Sequence, residues 1–579
     1  MMLNIGIVGK GYFGSKIYNT LKDKHNIVFY TGKEFNVSFD IDWVIVATIT
    51  NTHYEICKTF LEKGVNVFVE KPITASYNKA KKLIDLANSN NVKLYIDDIF
   101  LYHPTFKIIK EQEYKNIEFS WSKLGSFKDN IYNNLAYHDI YMALSLGLDL
   151  SKDVFFKENQ VNKKYFKIGS TAFKYDRLSN HKSKYVMLDG HKIEFVTTVN
   201  LLEIMFDCVF NENACFKNNN KLALKTISIL SRLEKIKPKV AVVGAGIFGI
   251  TAALKLQDYY DVDLFEKNDD IIQNASAINQ YRLHRGYHYP RSLETAISSK
   301  QGEKSFLKQY DCQIKDTEQY YAIAYKSKVS KEQYETFLEK VGLEYEKLQS
   351  DIVTRNILGL YKVKETLFDP HKLHKICREK LDKSSVKLHL SKEFDKKQID
   401  NFDYVINATY SNLNAIVENK KNYQFELCEK PIIKLPKKFH KKGIIVMDGP
   451  FTCIDPYSDT DYHVIGNVVH AIHHTNVGEF PEIPEAYKKL LNKGVVKNPE
   501  ITEWDKFLET ANTFFNGIDG VEHIGSMFTI RCVLPNRDFD DARPTLIEKQ
   551  NDKVFSLFSG KITTAVDCSE ELISVLNSN

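Results

Sequence analysis

Two glycine clusters in this chain have the spacing that chemistry on a dinucleotide requires. Gly9, Gly11 and Gly14 lie in "NIGIVGKGYFG", and Gly244, Gly246 and Gly249 lie in "VAVVGAGIFG". In each case a short apolar run that reads as a strand leads into the glycines, and a helical pattern follows. That order lets the chain turn tightly and brings a pyrophosphate against backbone N–H groups at a helix N-terminus, where the helix dipole favours an anion. Tyr12 and Phe13 in the first cluster, and Ile247 and Phe248 in the second, stand where those amides are expected. The two units differ after their second strand. Glu266, followed by Lys267, is placed to accept both ribose hydroxyls, whereas the first unit offers Thr31, Gly32, Lys33 and Glu34. Two coenzymes remain open there: NAD with Glu34 on the ribose, or NADP with Thr31 and Lys33 on a 2′-phosphate.

Other polar residues crowd "YRLHRGYHYP", where Arg282, His284, Arg285, Tyr287, His288 and Tyr289 surround Gly286. Burying two arginines and two histidines unpaired is costly, so they are expected to face solvent or to meet an anion and a flavin, with Gly286 admitting the ring. Arg531 in "FTIRCVLP" carries a fork suited to a carboxylate or phosphate, a surface salt bridge being the alternative. His470, His473 and His474 in "VVHAIHHT" lack acidic partners in the sequence and read as lining a polyol or nucleotide pocket, so no metal is expected.

The early glycines, the strand ending in Ala47-Thr48 with Thr50 and His53 after it, and Glu70-Lys71-Pro72 resemble the glucose-fructose oxidoreductase and inositol dehydrogenase family, Gfo/Idh/MocA. The resemblance fades towards residue 230. It implies an NAD or NADP site to which Thr48, Thr50, His53 and Glu70 contribute. It also places Lys71 beside the nicotinamide and the substrate hydroxyl, with a pKa that desolvation would lower. In "NNLAYHDIYMALSLG" it makes His138 the residue that exchanges the hydroxyl proton, and Asn134 stands where the family carries an aspartate.

The chain from 238 to 579 resembles the D-amino-acid oxidase and L-2-hydroxyglutarate oxidase family through "NASAINQYRLHRGYHYPRSLETA", "FDYVINATYSNLN" and "VFSLFSGKITTAVDCSEELI". This implies FAD, with Arg282, Ala408 and Thr409 beside it and Tyr410 in place of a common glycine. Gly560, Lys561, Ile562 and Thr563 would bring backbone N–H groups and a cation to the N1–C2=O edge of the flavin. His284 and His288 are implied as catalytic, and Tyr287, Tyr289 and Arg531 as substrate contacts.

The elements that must hold these residues follow from pattern. The fold class expected is α/β and α+β: two Rossmann-type dinucleotide-binding domains, each with a mainly antiparallel substrate sheet. Boundaries are expected at 1–115 and 116–230 for the first pair and 238–579 for the flavin half, with a charged linker in "LSRLEKIKPK". Alternation in "IEFSW", "KYVMLDG" and "KIEFVTTV" predicts an open antiparallel sheet from about Asn116 to Ala214, shortened relative to the family, in which such a sheet often builds a homodimer.

The 579 residues are 43% hydrophobic and 26% charged, the composition of a globular chain. No run reaches the roughly 20 apolar residues that cross a bilayer, and the first apolar stretch lacks a basic leader, so a cytoplasmic protein is expected. Nine cysteines without a CxxC pair point to reduced thiols, and a net charge of +5 with no basic-aromatic cluster argues against nucleic acid.

The function expected is a bifunctional oxidoreductase acting on a small molecule. The FAD half oxidises and the NAD(P) half reduces a carbinol or ketone of a sugar or nucleotide sugar, inverting a stereocentre in surface-polysaccharide precursor synthesis. The alternatives are oxidation of an amino acid or amine, and a catalytically silent first half that senses NAD(P).

Overall fold

The computed structural model describes residues 2–32, 40–124, 130–211, 216–353, 356–449, 451–535 and 543–578. It divides into two compact units, Met1–Lys237 with Asn577–Asn579, and Pro238–Leu576.

The first unit begins with five parallel strands in the spatial order Asn26–Thr31, Asn4–Val8, Trp43–Val46, Asn66–Val69, Leu94–Ile96. The inner strands are apolar throughout because helices cover both faces. A second sheet has the order His191–Glu194, Ser183–Leu188, Ile117–Ser122, Thr171–Asp176, Lys163–Ile168, Val154–Asn159. It is antiparallel except where Ile117–Ser122 meets Thr171–Asp176.

This sheet ends earlier than the alternation predicts. Residues Leu201–Asn211 and Phe216–Glu234 are helices. Leu202, Met205, Phe206 and Val209 recur at the helical period and return to the nucleotide-binding sheet, packing with Ile5, Ile7, Trp43 and Phe68. The charged "LSRLE" is the last turn of the second helix rather than a linker: Ala223, Ile227, Leu230 and Leu233 bury its inner face. The contact boundary falls at Pro238.

The second unit carries a sheet in the order Lys387–His389, Asp261–Phe265, Lys239–Val243, Tyr404–Asn407, Val554–Phe558, Leu546–Lys549, parallel but for the last pair. Beside it stands a nine-stranded sheet whose spine is Tyr423–Lys434, flanked along most of its length by Glu522–Val533. Alternation sorts this spine into two faces. Ile432, with Val464 and Met527, enters the core of the nucleotide-binding part. Ile433, with Ile454 and Ile465, packs on the other face around the helix Trp504–Phe514. Around Ile432 the even-numbered side chains of the spine therefore lie on the face that packs on the nucleotide-binding part. Among the described residues no helix is long and apolar enough to cross a membrane.

Candidate functional site

In the first unit Gly9 and Gly14 pack backbone on backbone: a Cβ on Gly14 would lie 1.9 Å from the carbonyl oxygen of Gly9, and one on Gly9 would lie 2.2 Å from that of Ala47. Gly11 is different. It caps the helix Tyr12–Leu21, and a Cβ there would meet nothing within 4 Å, so the space before the Tyr12 and Phe13 amides is open for a phosphate. Tyr12 is exposed and Phe13 half-buried against the sheet core. Thr31 closes its strand, its carbonyl accepting from the Gly9 amide; Lys33 and Glu34 lie outside the described residues. Thr48 and Thr50 stand at the start of the helix Thr50–Glu62, with the Thr52 hydroxyl 2.7 Å from that of Thr48.

His53 is a correction. It is buried, and its two ring nitrogens each lie 3.0 Å from a carbonyl, of Thr48 and of Pro72. It clips the loop after Val46 to the Glu70-Lys71-Pro72 loop.

Lys71 and His138 are brought to one place by an unusual turn. Residues Tyr132–Ala136 form a π-helix that runs into the α-helix Tyr137–Ser145, the Tyr137 amide reaching back five residues to Tyr132. Such widened turns cluster at functional sites. The Lys71 ammonium donates to the carbonyls of Asn133 and Asn134 in this turn, each at 3.2 Å. One turn later His138 lies against Phe100 and Trp121. Burial, helped by the Lys71 and Lys184 ammonium groups, holds His138 well below the ordinary imidazole range. The ring is therefore neutral near neutral pH.

Three neighbours escape a reading of the sequence. Asp97, buried at the end of Leu94–Ile96, interacts with Lys71 and is lifted by burial to about 6. Asp98 beside it is lifted by burial to about 7 while accepting from Tyr95 and Asn219. Two adjacent acids at the carboxyl end of a parallel strand, where such sheets bind ligands, are the signal that marks them. Lys184, from Ser183–Leu188, forms a buried ion pair with Asp139 and sits 3.9 Å from the Trp121 ring centroid.

In the second unit the cradle is built the same way. A Cβ on Gly249 would lie 1.8 Å from the Gly244 carbonyl oxygen, and one on Gly244 would lie 2.8 Å from that of Ala408, which fixes the strand crossing. Gly246 caps the helix Ile247–Leu256; the Ser276 hydroxyl, which accepts from the Ile247 amide at 3.1 Å, occupies its mouth. The side chains of Ile247 and Phe248 are core and the Ile247 amide is engaged by Ser276, so of these two residues the Phe248 amide is left to serve a ligand. Glu266 accepts from the amides of Ala245 at 2.8 Å and Asn268 at 2.9 Å, which orients its carboxylate; Lys267 is exposed. Thr409 bonds Asn407, and Tyr410 holds φ +56°, the left-handed conformation that the common glycine takes without strain.

These features fit FAD. The Thr563 hydroxyl, in the turn Ile562–Thr564, is fully buried with no hydrogen-bond partner. Gly560 instead has its amide on Thr545 and its Cα against the Arg543 carbonyl, so its N–H is already used. Lys561 places its ammonium 4.2 Å from the Tyr289 ring centroid.

Around "YRLHRGYHYP" the structure separates roles. Arg282 is half of a buried ion pair, its Nε 2.9 Å from Asp455 Oδ1. Tyr287 is buried and donates to the Glu344 carbonyl at 2.7 Å, away from any cavity role. Gly286, at φ +111°, admits the Ala296 carbonyl rather than a ring: a Cβ there would lie 2.7 Å from that oxygen. His284, His288 and Tyr289 do form a cluster, with ring centroids 5.4 to 5.5 Å apart. The Nδ1 of His284 is buried without a hydrogen-bond partner, and burial, with the cations of Lys561 and Arg282 nearby, keeps the ring well below the ordinary imidazole range. Tyr321 bonds the buried Glu365, whose carboxyl burial lifts to about 7.

Two further expectations change. Arg531 is paired with Glu426 on the neighbouring strand, directly opposite in register. His473 does have an acidic partner: its Nε2 lies 2.8 Å from Glu429, whose carboxylate also accepts from Ser526, Thr502 and the Glu503 amide, on the face away from the nucleotide-binding part. Among the described residues no group of three His, Cys, Asp or Glu is placed to hold a metal.

Comparison with known proteins matches residues 28–97 to the model of the oxidoreductase family with an NAD-binding Rossmann fold, and residues 239–558 to that of the FAD dependent oxidoreductases. The FAD-dependent monooxygenase FPY4 of Fusarium mangiferae is 23% identical over 356 residues, covering 58% of this chain and 91% of its own. The UDP-N-acetylglucosamine 3-dehydrogenase of Acidithiobacillus ferrooxidans is 26% identical over 113 residues, covering 18% of this chain and 36% of its own. The crystal structure of glycine oxidase from Geobacillus kaustophilus aligns at 14% identity with a TM-score of 0.44, covering 59% of this chain and 95% of that one.

Proposed function

Since this chain belongs to the FAD dependent oxidoreductase family and joins to it an NAD-binding oxidoreductase domain, we propose that the two halves work in sequence on one carbinol of a small polar substrate. The flavin half oxidises the carbinol to a carbonyl, and the nicotinamide half reduces it, inverting the centre when the two hydrides pass on opposite faces. FAD supplies a two-electron acceptor and NAD(P)H a hydride donor; an acceptor outside the chain, oxygen or a quinone, reoxidises the first, and the soluble coenzyme pool renews the second. A sugar or nucleotide sugar is the substrate class this reading favours, supported by the likeness of the first unit to the Acidithiobacillus UDP-N-acetylglucosamine 3-dehydrogenase.

The observation that carries the reading is His284. Removing hydride from a carbinol requires that the hydroxyl proton go somewhere, and the open Nδ1 of a neutral imidazole takes it. A neutral amine donates its own lone pair and needs no such base. In the first unit the return proton is delivered to the carbonyl oxygen by the Lys71 ammonium, which the widened turn seats. Fusion raises the local concentration of the carbonyl intermediate at the second site. The amine alternative rested on Arg531, whose guanidinium is occupied by Glu426.

The test is anaerobic mixing of the flavin-loaded chain with panels of sugars, nucleotide sugars and amino acids, following loss of the flavin's visible absorbance. Bleaching by carbinols that disappears in His284→Gln supports the reading. Bleaching by amines alone, undiminished in that variant, overturns it.

A further inference from the structure

Lys430 occupies the middle of the Tyr423–Lys434 spine, opposite Met527 of the adjacent strand. Its side chain points to the same face as Glu426, Cys428 and Ile432, and Ile432 and Met527 pack into the nucleotide-binding core, so Lys430 lies on the face towards the nucleotide-binding part. It is half-buried, yet makes neither hydrogen bond nor ion pair among the described residues. Its electrostatic neighbours are the thiols of Cys428 and Cys453 and the guanidinium groups of Arg531 and Arg282.

Among the described residues Lys430 has no carboxylate of its own. The two carboxylates beside it are each taken, Asp455 by Arg282 and Glu426 by Arg531. Glu365, the next acid towards Arg282, is lifted by burial to about 7 and is committed to Tyr321 and the Arg285 amide. A half-buried cation left uncompensated is unfavourable, and burial accordingly pulls Lys430 below the ordinary lysine range. The Gln280 side chain nearby, donating to Cys453 at 3.1 Å and Asp455 at 3.2 Å, keeps a buried Oε1 without a partner. Arg282 is the common electrostatic neighbour of Lys430 and His284, which ties the ammonium to the surroundings of the histidine cluster.

The geometry points to Lys430 as the anchor for an anionic group, a carboxylate or phosphate, carried by the substrate whose carbinol meets His284. This rests on the functional reading above and narrows it to sugar acids, sugar phosphates or nucleotide sugars. Arg531 and Arg282, each holding its own carboxylate, shape the wall and leave the recognition to the lysine.

The experiment titrates the flavin-loaded full chain with inorganic phosphate in one arm and acetate in the other, reading the shift of the flavin's visible band and the thermal midpoint. Saturable binding is expected in at least one arm, and the stronger arm identifies the anion. Lys430→Met and Lys430→Gln are expected to weaken it tenfold or more, to bind FAD as the parent does, and to be no less thermostable in anion-free buffer; Lys430→Arg is expected to retain it. Equal anion binding by Lys430→Met overturns the proposal, as does a tenfold loss of FAD affinity, which would make the cofactor the lysine's partner. A chain that takes up no flavin refutes the functional reading instead, and the thermal-midpoint arm, comparing parent and Lys430→Met, still decides the role of the lysine.

Discussion

The ammonium of Lys71 lies 3.2 Å from the carbonyl oxygen of Asn134, and it is the backbone of Asn134, not its side chain, that seats the lysine. The widened turn Tyr132–Ala136 frees carbonyls that a regular helix would engage. The negative charge missing at position 134 is provided from another strand, by Asp97. Asn134→Ala is therefore expected to keep hydride transfer within a few-fold of the parent, while Lys71→Met loses about 10²–10⁴-fold, the usual contribution of a positioned proton-transfer group. NAD(P)H consumption with a carbonyl substrate measures both, and flavin bleaching in the same protein should be unaffected.

His138 is expected to stay neutral, with no transition near the ordinary imidazole value. Because burial and two ammonium groups favour its neutral form, the rate of the first unit should stay level from neutral pH downward and fall only well below that value. Lys184→Met removes one of the two cations, which favours protonation and should move the fall to higher pH. A pH–rate profile of parent and variant, together with an NMR titration of the His138 ring in the nucleotide-free chain, tests this; coincident profiles and titrations contradict it.

Asp98 makes stability depend on pH with a defined sign. Its carboxyl is raised to about 7 in the folded chain, so between the ordinary aspartate value and about 7 the folded state binds more protons there than the unfolded state does. Its contribution is greatest at low pH and declines as pH rises through that window. Relative to the parent, Asp98→Asn should gain thermal stability steadily from about pH 4 to about pH 7, with no further change above. Thermal melts of the two proteins across that range read the difference, and a difference that shrinks with rising pH would contradict the assignment.

The two glycine positions of the first cradle should separate folding from binding. A Cβ at Gly11 meets open space, so Gly11→Ala is expected to change stability by no more than about 0.5 kcal/mol while weakening nucleotide binding at least tenfold. A Cβ at Gly14 collides with the Gly9 carbonyl, so Gly14→Ala should cost about 1–3 kcal/mol or more through overpacking. Chemical denaturation and calorimetric titration with NAD and NADP distinguish the outcomes and identify the preferred coenzyme.

Much of this was legible along the chain. Strand, glycine turn and helix form one contiguous stretch in each unit, so both cradles could be read from local order, and Tyr410 in a left-handed conformation marks the place where a glycine is usual. The end of the first unit was harder. The expected sheet ran on to Ala214, yet Leu202, Met205, Phe206 and Val209 recur at the helical period, and the sheet that this face covers shows why the segment is a helix. His53 carries the family's identity and serves as a clip between loops, a role that depends on where Pro72 returns.

By itself the sequence determined that two dinucleotide sites share this polypeptide and which cofactor class each takes, because a close approach of backbone to phosphate demands glycines at fixed local spacing. Only the tertiary structure decided which charges are free to meet a ligand. Arg282 finds Asp455 and Arg531 finds Glu426 across strands far apart in the chain, and among the described residues Lys430 is left without a partner. An ion pair is made by proximity in space, which register and sheet order create, and no reading of residue types along one dimension contains it.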